Sequence, residues 1–189
     1  NNNVQSTSDA YGGGISIYSG TSTLSNCCIT GNKTASSSND SDYSFGGGIC
    51  NNGGTATLKN CIISNNTSSG ARFAYGGGVV ARGGTSTLEN CSITGNTASS
   101  PTYVNGGGVY ISSGTNTLKN CSITGNIGTS TNGSSYYYVN GSGVYVSSGT
   151  NTFLGTMNIT GNTGKFSSTS VVSNLYLYSR VTVALSNGS

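Results

Sequence analysis

The sequence contains no histidine and no tryptophan, and it has one proline, one methionine and few charges among its 189 residues. Seven Lys and Arg side chains stand against four Asp and Glu, which gives a net charge of +3. Without histidine, neither a Ser-His-Asp triad nor a Cys-His pair can form. Seven scattered cations do not supply the clustered basic surface that nucleic acid binding requires. The composition therefore argues against histidine-dependent catalysis and against a nucleic acid partner.

The acidic residues are also too scattered for the usual carbohydrate-cleaving site, which needs two carboxylates roughly 5–10 Å apart. Asp9 and Glu89 stand alone, and Asp40 and Asp42 share one segment, SSNDSDYS, without a partner base. The oxygens of that segment could bind calcium, but a solvated loop is the simpler interpretation. We therefore predict a non-enzymatic protein with no cofactor and no resident metal.

Long apolar runs are absent, so no membrane-spanning helix is expected. The chain begins with NNNVQSTSDAYGGG rather than with a basic and then apolar leader, which favours a mature or excised segment. Glycine is abundant, with 31 residues, beside much Ser, Thr and Asn. Such a composition is compatible with disorder, but Val, Ile, Leu and Tyr recur at fixed places, which a disordered tract does not require.

A repeat of five units explains the recurring positions. Glycine-rich triplets begin at residues 12, 46, 76, 106 and 141, the last of them being GSG. Each triplet is followed by Ile or Val, then by Gly-Thr-x-Thr, and each unit closes with a block such as NCSITGN. From the triplet to the closing Asn the unit has 21 residues in four cases and 22 in the last. The remaining length variation falls in segments expected to be loops, at 33–45, 67–75, 97–105 and 127–140.

Within a unit the apolar residues alternate at period two, which is the pattern of a β-strand. Val109 and Ile111 share a face, as do Cys121 and Ile123, and no helical spacing is present. A unit buries about five apolar side chains, worth roughly 8–15 kcal/mol, whereas ordering its backbone costs about 1–2 kcal/mol per residue. A single unit therefore cannot fold alone, but stacked units can.

The sequence accordingly predicts an all-β, right-handed parallel β-helix of about five to six coils with three short strands per coil. We expect one domain over residues 1–189, with coils starting at the glycine triplets and closing strands at 171–186.

Two columns of asparagine recur at equivalent places in the repeat. The first comprises Asn32, Asn66, Asn96, Asn126 and Asn162, and the second comprises Asn26, Asn60, Asn90 and Asn120. We expect the first column to adopt left-handed turn geometry and to form hydrogen bonds with the next coil. The second column is expected to form a similar ladder. Lys59, Glu89 and Lys119 also occupy equivalent outward positions, about 4.8 Å apart along the stack.

A column of cysteines is expected to point inward, one per coil. It comprises Cys27, Cys61, Cys91 and Cys121, with Met157 in the last coil. The simplest interpretation is a small apolar spacer in the core. The strand spacing would also permit the disulfides Cys27–Cys61 and Cys91–Cys121. Cys28 and Cys50 are predicted to point outward on different strands.

The block I-T-G-N, followed by a loop and G-G-G-[IV], resembles the repeats of polymorphic outer membrane proteins and similar bacterial surface β-helices. Those repeats carry F-x-x-N followed by G-G-A-[ILV]; here Ile stands at the Phe position and a third Gly replaces Ala. The tail SNLYLYSRVTVALS also resembles the closing strands of related surface repeats. The resemblance implies a parallel β-helix at a cell surface, as in adhesins, autotransporter passengers and wall-attached repeats.

Aromatic residues recur three positions before the glycine triplet, and one expected loop carries two more. The candidate contact surface comprises Tyr43, Phe73, Tyr103, Tyr136, Tyr137 and Tyr138. These rings could bind sugars or proteins by stacking, or they could lie back over the edge of the coil; the pattern leaves both interpretations open. Asn39 and Asn132 are candidate glycosylation sites, because they begin N-x-[ST] sequons in expected loops.

The Gly-Thr-x-Thr segments predict two outward ranks of threonine on one flat face, which resemble the arrays of ice-binding solenoids. Exposed strands also favour threonine for its β-branched shape, so this feature supports ice binding only as an alternative function. The carbohydrate-binding or carbohydrate-cleaving β-helix is a further alternative.

Taken together, the sequence predicts a non-enzymatic extracellular or cell-surface module with a structural or adhesive role. It is expected to act as a surface adhesin or as the subunit of a cell-surface filament. The end coils lack polar caps, and open coil ends can pair with further strands. The expected partners are therefore a second copy bound end to end, neighbouring repeats of a longer chain, or host and surface glycans.

Overall fold

The computed structural model describes residues 1–37, 42–132, 138–166, 169–178 and 183–186. All regular elements in these ranges are β-strands, which stack into a parallel β-solenoid of about five turns. The predicted all-β solenoid is thus confirmed. No helix in the described ranges could span a membrane.

Each turn of the chain passes through four sheets, which we number in chain order from the glycine triplet. Sheet 1 contains Ile15–Ile17, Thr21–Ser25, Ile49–Lys59, Val79–Glu89, Val109–Ile111, Thr115–Lys119, Val144–Val146, Thr150–Leu154, Leu175–Leu177 and Val183–Ser186. Sheet 2 contains Cys28–Thr30, Ile62–Ser64, Ser92–Thr94, Ser122–Thr124 and Asn158–Thr160. Sheet 3 contains Asn3–Ser6, Lys33–Ser36, Thr67–Ser69, Thr97–Ser100, Ile127–Ser130, Thr163–Phe166 and Thr169–Val172. Sheet 4 contains Ala10–Tyr11, Tyr43–Phe45, Phe73–Tyr75, Tyr103–Asn105 and Val139–Asn140.

Equivalent residues of successive turns pair directly across these sheets. In sheet 2, Ile93 lies between Ile63 and Ile123, so the isoleucines of the closing block form one continuous rank. The pairing is parallel except at the C-terminal end of sheet 3, where Thr169–Val172 runs antiparallel to Thr163–Phe166. The nearly constant unit length keeps this register, because a one-residue slip would turn every inward side chain outward.

The turn carries more strands than the three predicted, because the expected loops contain the strands of sheets 3 and 4. The inward positions of these strands carry small polar or small apolar residues, and the aromatic residues of sheet 4 face outward. Thr34, Ser68 and Ala98, for example, hold the same inward position in sheet 3 and are fully buried. A hydrophobic period-two pattern is weak in such segments, and their strands are stabilised by backbone pairing with adjacent turns.

The interior has two compartments. The larger lies between sheets 1 and 2 and is filled by Ile, Leu, Val and the cysteine column. The smaller lies between sheets 3 and 4 and is filled by Ala74, Ala98, Val104 and Val139. At its N-terminal end this compartment is polar, since the Ser44 hydroxyl donates to the Thr34 hydroxyl at 2.9 Å. Small side chains there allow sheets 3 and 4 to approach each other closely.

The first asparagine column forms the predicted hydrogen-bonded ladder at the junction of sheets 2 and 3. In each step the backbone N–H and the side-chain amide of one Asn donate to Oδ1 of the next, at 2.9–3.0 Å. The predicted left-handed geometry is wrong for this column. It belongs to the preceding residue, for example Gly95 with φ of 64°.

The second asparagine column adopts the left-handed conformation instead, with φ of 52–56°. Its side chains are exposed, and the hydrogen bonds between them are longer: the Asn60 amide donates to Asn26 Oδ1 and the Asn90 amide donates to Asn60 Oδ1, each at 3.3 Å. This column therefore serves mainly as the turn between sheets 1 and 2, where asparagine tolerates positive φ at low cost.

The glycine triplet serves two separate needs. The first glycine has positive φ, as at Gly76 with 57°. The third has no such φ but is tightly packed, since a Cβ on Gly78 would lie 2.8 Å from the Gly108 carbonyl oxygen and 3.0 Å from the Asn96 side chain. The triplet thus lets the chain turn from sheet 4 into sheet 1 while lying against both the next turn and the asparagine ladder.

All six cysteines are free thiols, so neither disulfide considered above is formed. Cys61, Cys91 and Cys121 are buried in the larger compartment, and Cys27 is half-buried beside them. Their thiols donate to main-chain carbonyls, as Cys91 does to Glu89 at 3.4 Å. The column therefore acts as small core side chains that also satisfy turn carbonyls.

Lys59, Glu89 and Lys119, which we call the charged rank, lie in register on sheet 1. Lys119 Nζ lies 3.0 Å and Lys59 Nζ lies 3.8 Å from the two carboxylate oxygens of Glu89. The hydrogen bond from Lys119 and its positive charge lower the pKa of the Glu89 carboxyl. The opposite charges thus favour the ionised carboxylate at neutral pH.

Candidate functional site

The outer faces of sheets 4 and 1 meet at the glycine triplet and enclose a second hydrophobic cluster outside the coil. Its buried members are Phe45, Cys50, Val80, Tyr110 and Tyr145, with Tyr11, Tyr43 and Tyr75 packed against them. Cys50 points outward as predicted, yet it is fully buried because aromatic rings of sheet 4 cover it. Burial raises the pKa of its thiol to about 12, so it stays protonated.

The first of two aromatic columns contains four of the predicted contact residues. Tyr43, Phe73, Tyr103 and Tyr138 stack in that order, with ring centroids 4.6, 5.3 and 5.9 Å apart. Neighbouring rings therefore cover each other's faces, so the column does not present a row of open ring faces. Tyr136 and Tyr137 lie outside the described residues.

A second aromatic column was not predicted. It begins on sheet 4 with Tyr11, Phe45 and Tyr75 and continues on sheet 1 with Tyr110, Tyr145 and Tyr176. The change of sheet occurs between Tyr75 and Tyr110, whose ring centroids lie 4.6 Å apart. One continuous column is thus built from two different positions of the repeat.

The sequence contains a signal for this second column. It lies in two positions five residues apart, the one just before the glycine triplet and the second one after it. In the earlier turns an aromatic residue on sheet 4 precedes a small one on sheet 1, as in Tyr75 and Val80. In the later turns the order reverses, as in Asn105 and Tyr110 or Asn140 and Tyr145. The exchange of large and small residues indicates that the two positions share one space, but recognising it requires knowing that sheet 4 exists.

In the later turns, where the rings of the second column belong to sheet 1, a groove of about 520 Å³ lies between the two columns. We call it the tyrosine groove; it is lined by Tyr75, Tyr103, Asn105, Tyr110, Tyr138, Asn140, Tyr145, Ser147, Tyr176 and Tyr178. Asn105 and Asn140 replace the aromatic residues of earlier turns and are joined by a hydrogen bond from Asn140 Nδ2 to Asn105 Oδ1 at 3.2 Å. These shorter amide side chains leave the space that the groove occupies.

The described lining of the tyrosine groove carries no charged side chain. Burial raises the pKa values of Tyr75, Tyr110 and Tyr145, and hydrogen bonds from Ser112 and Ser147 to Tyr110 only partly oppose that rise. The phenols therefore stay neutral well above physiological pH. The groove combines apolar ring surface with neutral hydrogen-bonding groups.

A polar cluster adjoins the N-terminal turns of the second column. The Arg82 guanidinium lies 4.4 Å from the Phe45 ring centroid and donates to the Tyr11 hydroxyl at 2.7 Å. That hydroxyl donates in turn to Asp9 Oδ2 at 2.8 Å, and the Tyr43 backbone N–H donates to Asp9 Oδ1 at 3.0 Å. Arg82 and Asp9 are therefore engaged in holding the aromatic column together.

Within the described ranges, no group of three His, Cys, Asp or Glu side chains could hold a metal ion. Asp40, one of the two acids in the possible calcium-binding segment, lies outside the described residues, as does the candidate glycosylation site Asn39. The other candidate, Asn132, is exposed.

The threonine ranks are in register on the outer face of sheet 1. One rank comprises Thr21, Thr55, Thr85, Thr115 and Thr150, and the other comprises Thr23, Thr57, Thr87, Thr117 and Thr152. The charged rank of Lys59, Glu89 and Lys119 follows them along the same strands. The face is therefore regular but is bordered by ion pairs.

Comparison of the chain with protein-family models, with curated proteins and with solved structures found no match.

Proposed function

We propose that this protein is a non-enzymatic, extracellular or cell-surface β-solenoid that serves as an adhesive module through its tyrosine groove. The observation that carries the proposal is an open groove of about 520 Å³, lined by tyrosine and asparagine without charge. The resemblance of its repeats to bacterial surface β-helices supports the proposed location.

The exposure of the groove's tyrosines supports a binding role. Tyr138, Tyr176 and Tyr178 are 55%, 39% and 53% exposed, whereas the neighbouring Tyr110 and Tyr145 are buried. The buried rings fix the wall, and the exposed rings offer contact area at its rim. Tyrosine loses little conformational entropy on binding and presents an apolar body with a polar tip. Contiguous exposed apolar surface of this kind is typical of interaction sites.

The adhesive proposal is tested by measuring retention of protein-coated fluorescent beads on surfaces bearing polysaccharides or extracellular matrix proteins. We expect retention on at least one surface and its loss in Tyr138→Ala. Tyr18→Ala is the matched control, since Tyr18 is 75% exposed and lies outside the groove. Absence of retention on every surface, or equal retention of the Tyr138→Ala beads, would contradict the proposal.

Filament formation is a second form of the structural role, and the last turn favours it. Val172 and Leu185 are 80% and 78% exposed there, and Leu175 and Leu177 are 45% and 40% exposed. This apolar end could be covered by a second copy or by neighbouring repeats of a longer chain. Sedimentation velocity over rising protein concentration tests self-association, and a constant monomer would contradict the filament.

Ice binding remains an alternative proposal because the threonine ranks are in register over five turns. The ion pairs beside them make this face less uniform than a pure threonine array. A measurement of thermal hysteresis decides it, since zero hysteresis would remove the alternative.

A further inference from the structure

We propose that the tyrosine groove binds a neutral polysaccharide segment that runs along the solenoid axis. This inference rests on the proposed adhesive function and names the class of ligand that the groove would take. It follows from the charge, the hydrogen-bonding groups, the ring geometry and the backbone pairing of the groove.

The lack of charged side chains in the described lining of the groove disfavours acidic ligands. The two described arginines of the aromatic columns are already stacked on rings. Arg72 lies 5.1 Å from the Phe73 centroid and Arg82 lies 4.4 Å from the Phe45 centroid, both in earlier turns. Phosphates, nucleic acids and acidic sugars would enter the groove without a counter-charge, which is costly in a partly buried site.

The side-chain amides of Asn105 and Asn140, which we call the amide pair, supply both a hydrogen-bond donor and a hydrogen-bond acceptor. Asn140 Nδ2 donates to Asn105 Oδ1, which uses one donor and one acceptor. Within the described chain, Asn105 Nδ2 and Asn140 Oδ1 have no side-chain or backbone partner. A sugar hydroxyl can both donate and accept, so adjacent hydroxyls on a neutral sugar can satisfy this amide donor and this amide acceptor together.

The ring geometry offers an open face at Tyr138, the last described ring of the first column. The faces of Tyr103 are covered by Phe73 and Tyr138, whereas Tyr138 is followed in its column by no other described ring. Its exposure of 55% is consistent with that open face. An apolar C–H face of a pyranose can stack there, while its hydroxyls reach the amide pair.

The backbone around the groove disfavours an extended peptide. Tyr103–Asn105 pairs with Phe73–Tyr75 on one side and with Val139–Asn140 on the other. Sheet 1 is likewise paired on both sides at Val109–Ile111 and Val144–Val146. These strands have no free edge within the groove. The free edges of the described strands beside it are Val139–Asn140 and Leu175–Leu177, the last strands there of sheets 4 and 1, and a peptide added to them would run along the strands rather than along the groove. The groove also crosses the strands, and from Tyr75 to Tyr176 it spans three strand spacings, about 14 Å, which suits a trisaccharide.

The inference is tested by isothermal titration of the full chain with neutral oligosaccharides: cellotriose, chitotriose, mannotriose and maltotriose. We expect at least one to bind, and Tyr138→Ala and Asn140→Ala each to weaken it about tenfold or more. Tyr18→Ala should bind as the wild type does. Circular dichroism and the melting temperature verify that each variant is folded, and the exposed Tyr138 keeps the test valid if Asn140→Ala does not fold.

Three results would overturn the inference: no binding of any of these sugars at millimolar concentration, equal binding by Tyr138→Ala, or tighter binding of a proline-rich peptide in the same groove. If beads still adhere and Tyr138→Ala abolishes adhesion while no sugar binds, the adhesive role stands and the carbohydrate ligand is wrong. If neither adhesion nor sugar binding occurs, both proposals are wrong.

Discussion

Removal of one asparagine from the middle of the first ladder should strongly destabilise the solenoid. Asn96 is fully buried, and its Oδ1 accepts hydrogen bonds at 3.0 Å from both the backbone N–H and the side-chain amide of Asn66. Its own amide donates to the Ile63 carbonyl at 2.9 Å and to Asn126 Oδ1 at 3.0 Å. Asn96→Ala therefore removes four hydrogen bonds between three successive turns.

The size of the effect follows from which groups lose their partner. Asn66 Nδ2 still donates to the Ile29 carbonyl, and Asn126 Oδ1 still accepts from the Asn96 backbone. The buried Asn66 backbone N–H loses its acceptor, Asn96 Oδ1, and such an orphan costs about 1–3 kcal/mol. With the other three bonds lost at about 0.5–1.5 kcal/mol each, we expect a decrease of about 2.5–7.5 kcal/mol in the free energy of unfolding.

Urea unfolding followed by circular dichroism measures this change. With a slope of about 2 kcal/mol per molar urea, the midpoint should fall by roughly 1–4 M. Asn158→Ala is the matched control, because Asn158 is exposed and its amide lies 3.4 Å from the Ser122 hydroxyl. That variant should change stability by no more than about 0.5 kcal/mol. Equal midpoints for the two variants would refute the assigned role of the ladder.

Three further predictions concern the thiols, the ion pairs and the glycine triplet. In the native protein Ellman's reagent should react first with the exposed Cys28 and should reach the buried Cys50 only after denaturation, and protection of Cys28 would contradict the structure. The lowered pKa of Glu89 means that its contribution to stability is present above the unfolded-state pKa of about 4.3 and is lost as pH falls through the folded-state value. The melting temperature of the wild type should therefore fall more steeply on acidification than that of Glu89→Gln, and parallel curves would contradict this. Gly78→Ala should lower the melting temperature sharply or prevent folding, since its Cβ would lie 2.8 Å from a backbone oxygen, and an unchanged melting temperature would show that the turns are more loosely packed.

The repeat predicted much of sheets 1 and 2. A constant unit length and an alternating pattern around Ile93 or Ile123 dictate which side chains face inward, and a stack of such units is the arrangement that buries them all. Asn96 and Cys91 were placed in ladders by the same reasoning. The conformation of the asparagines was less accessible, because both Gly95 and Asn96 can occupy a left-handed turn and only the backbone geometry chooses between them.

Sheet 3 was not predicted, because Ser, Thr, Ala and Gly carry little hydrophobic signal. The strands of sheet 4 do carry aromatic residues, but they are only two or three residues long with one small inward side chain each, which is too short to show a period of two. Residues such as Ser68 become strand residues when turns above and below offer backbone partners. The tyrosine groove depends on these sheets. Unless sheet 4 is known, the sequence does not show that Tyr75 and Val80 share one cluster. It then also does not show that Asn105 and Tyr110 exchange the small and the large residue of that cluster.

By itself, then, the amino-acid sequence determined that the chain repeats and that its units stack as strands. The tertiary structure alone decided that two outer faces meet at an angle and enclose a groove with tyrosine walls and a pair of asparagines. The physical reason is that sequence periodicity is local to one strand, whereas the groove depends on several strands far apart in the chain. Periodicity reports which side of its own strand a residue occupies, whereas a groove depends on the angle between sheets, which arises only when the whole turn closes.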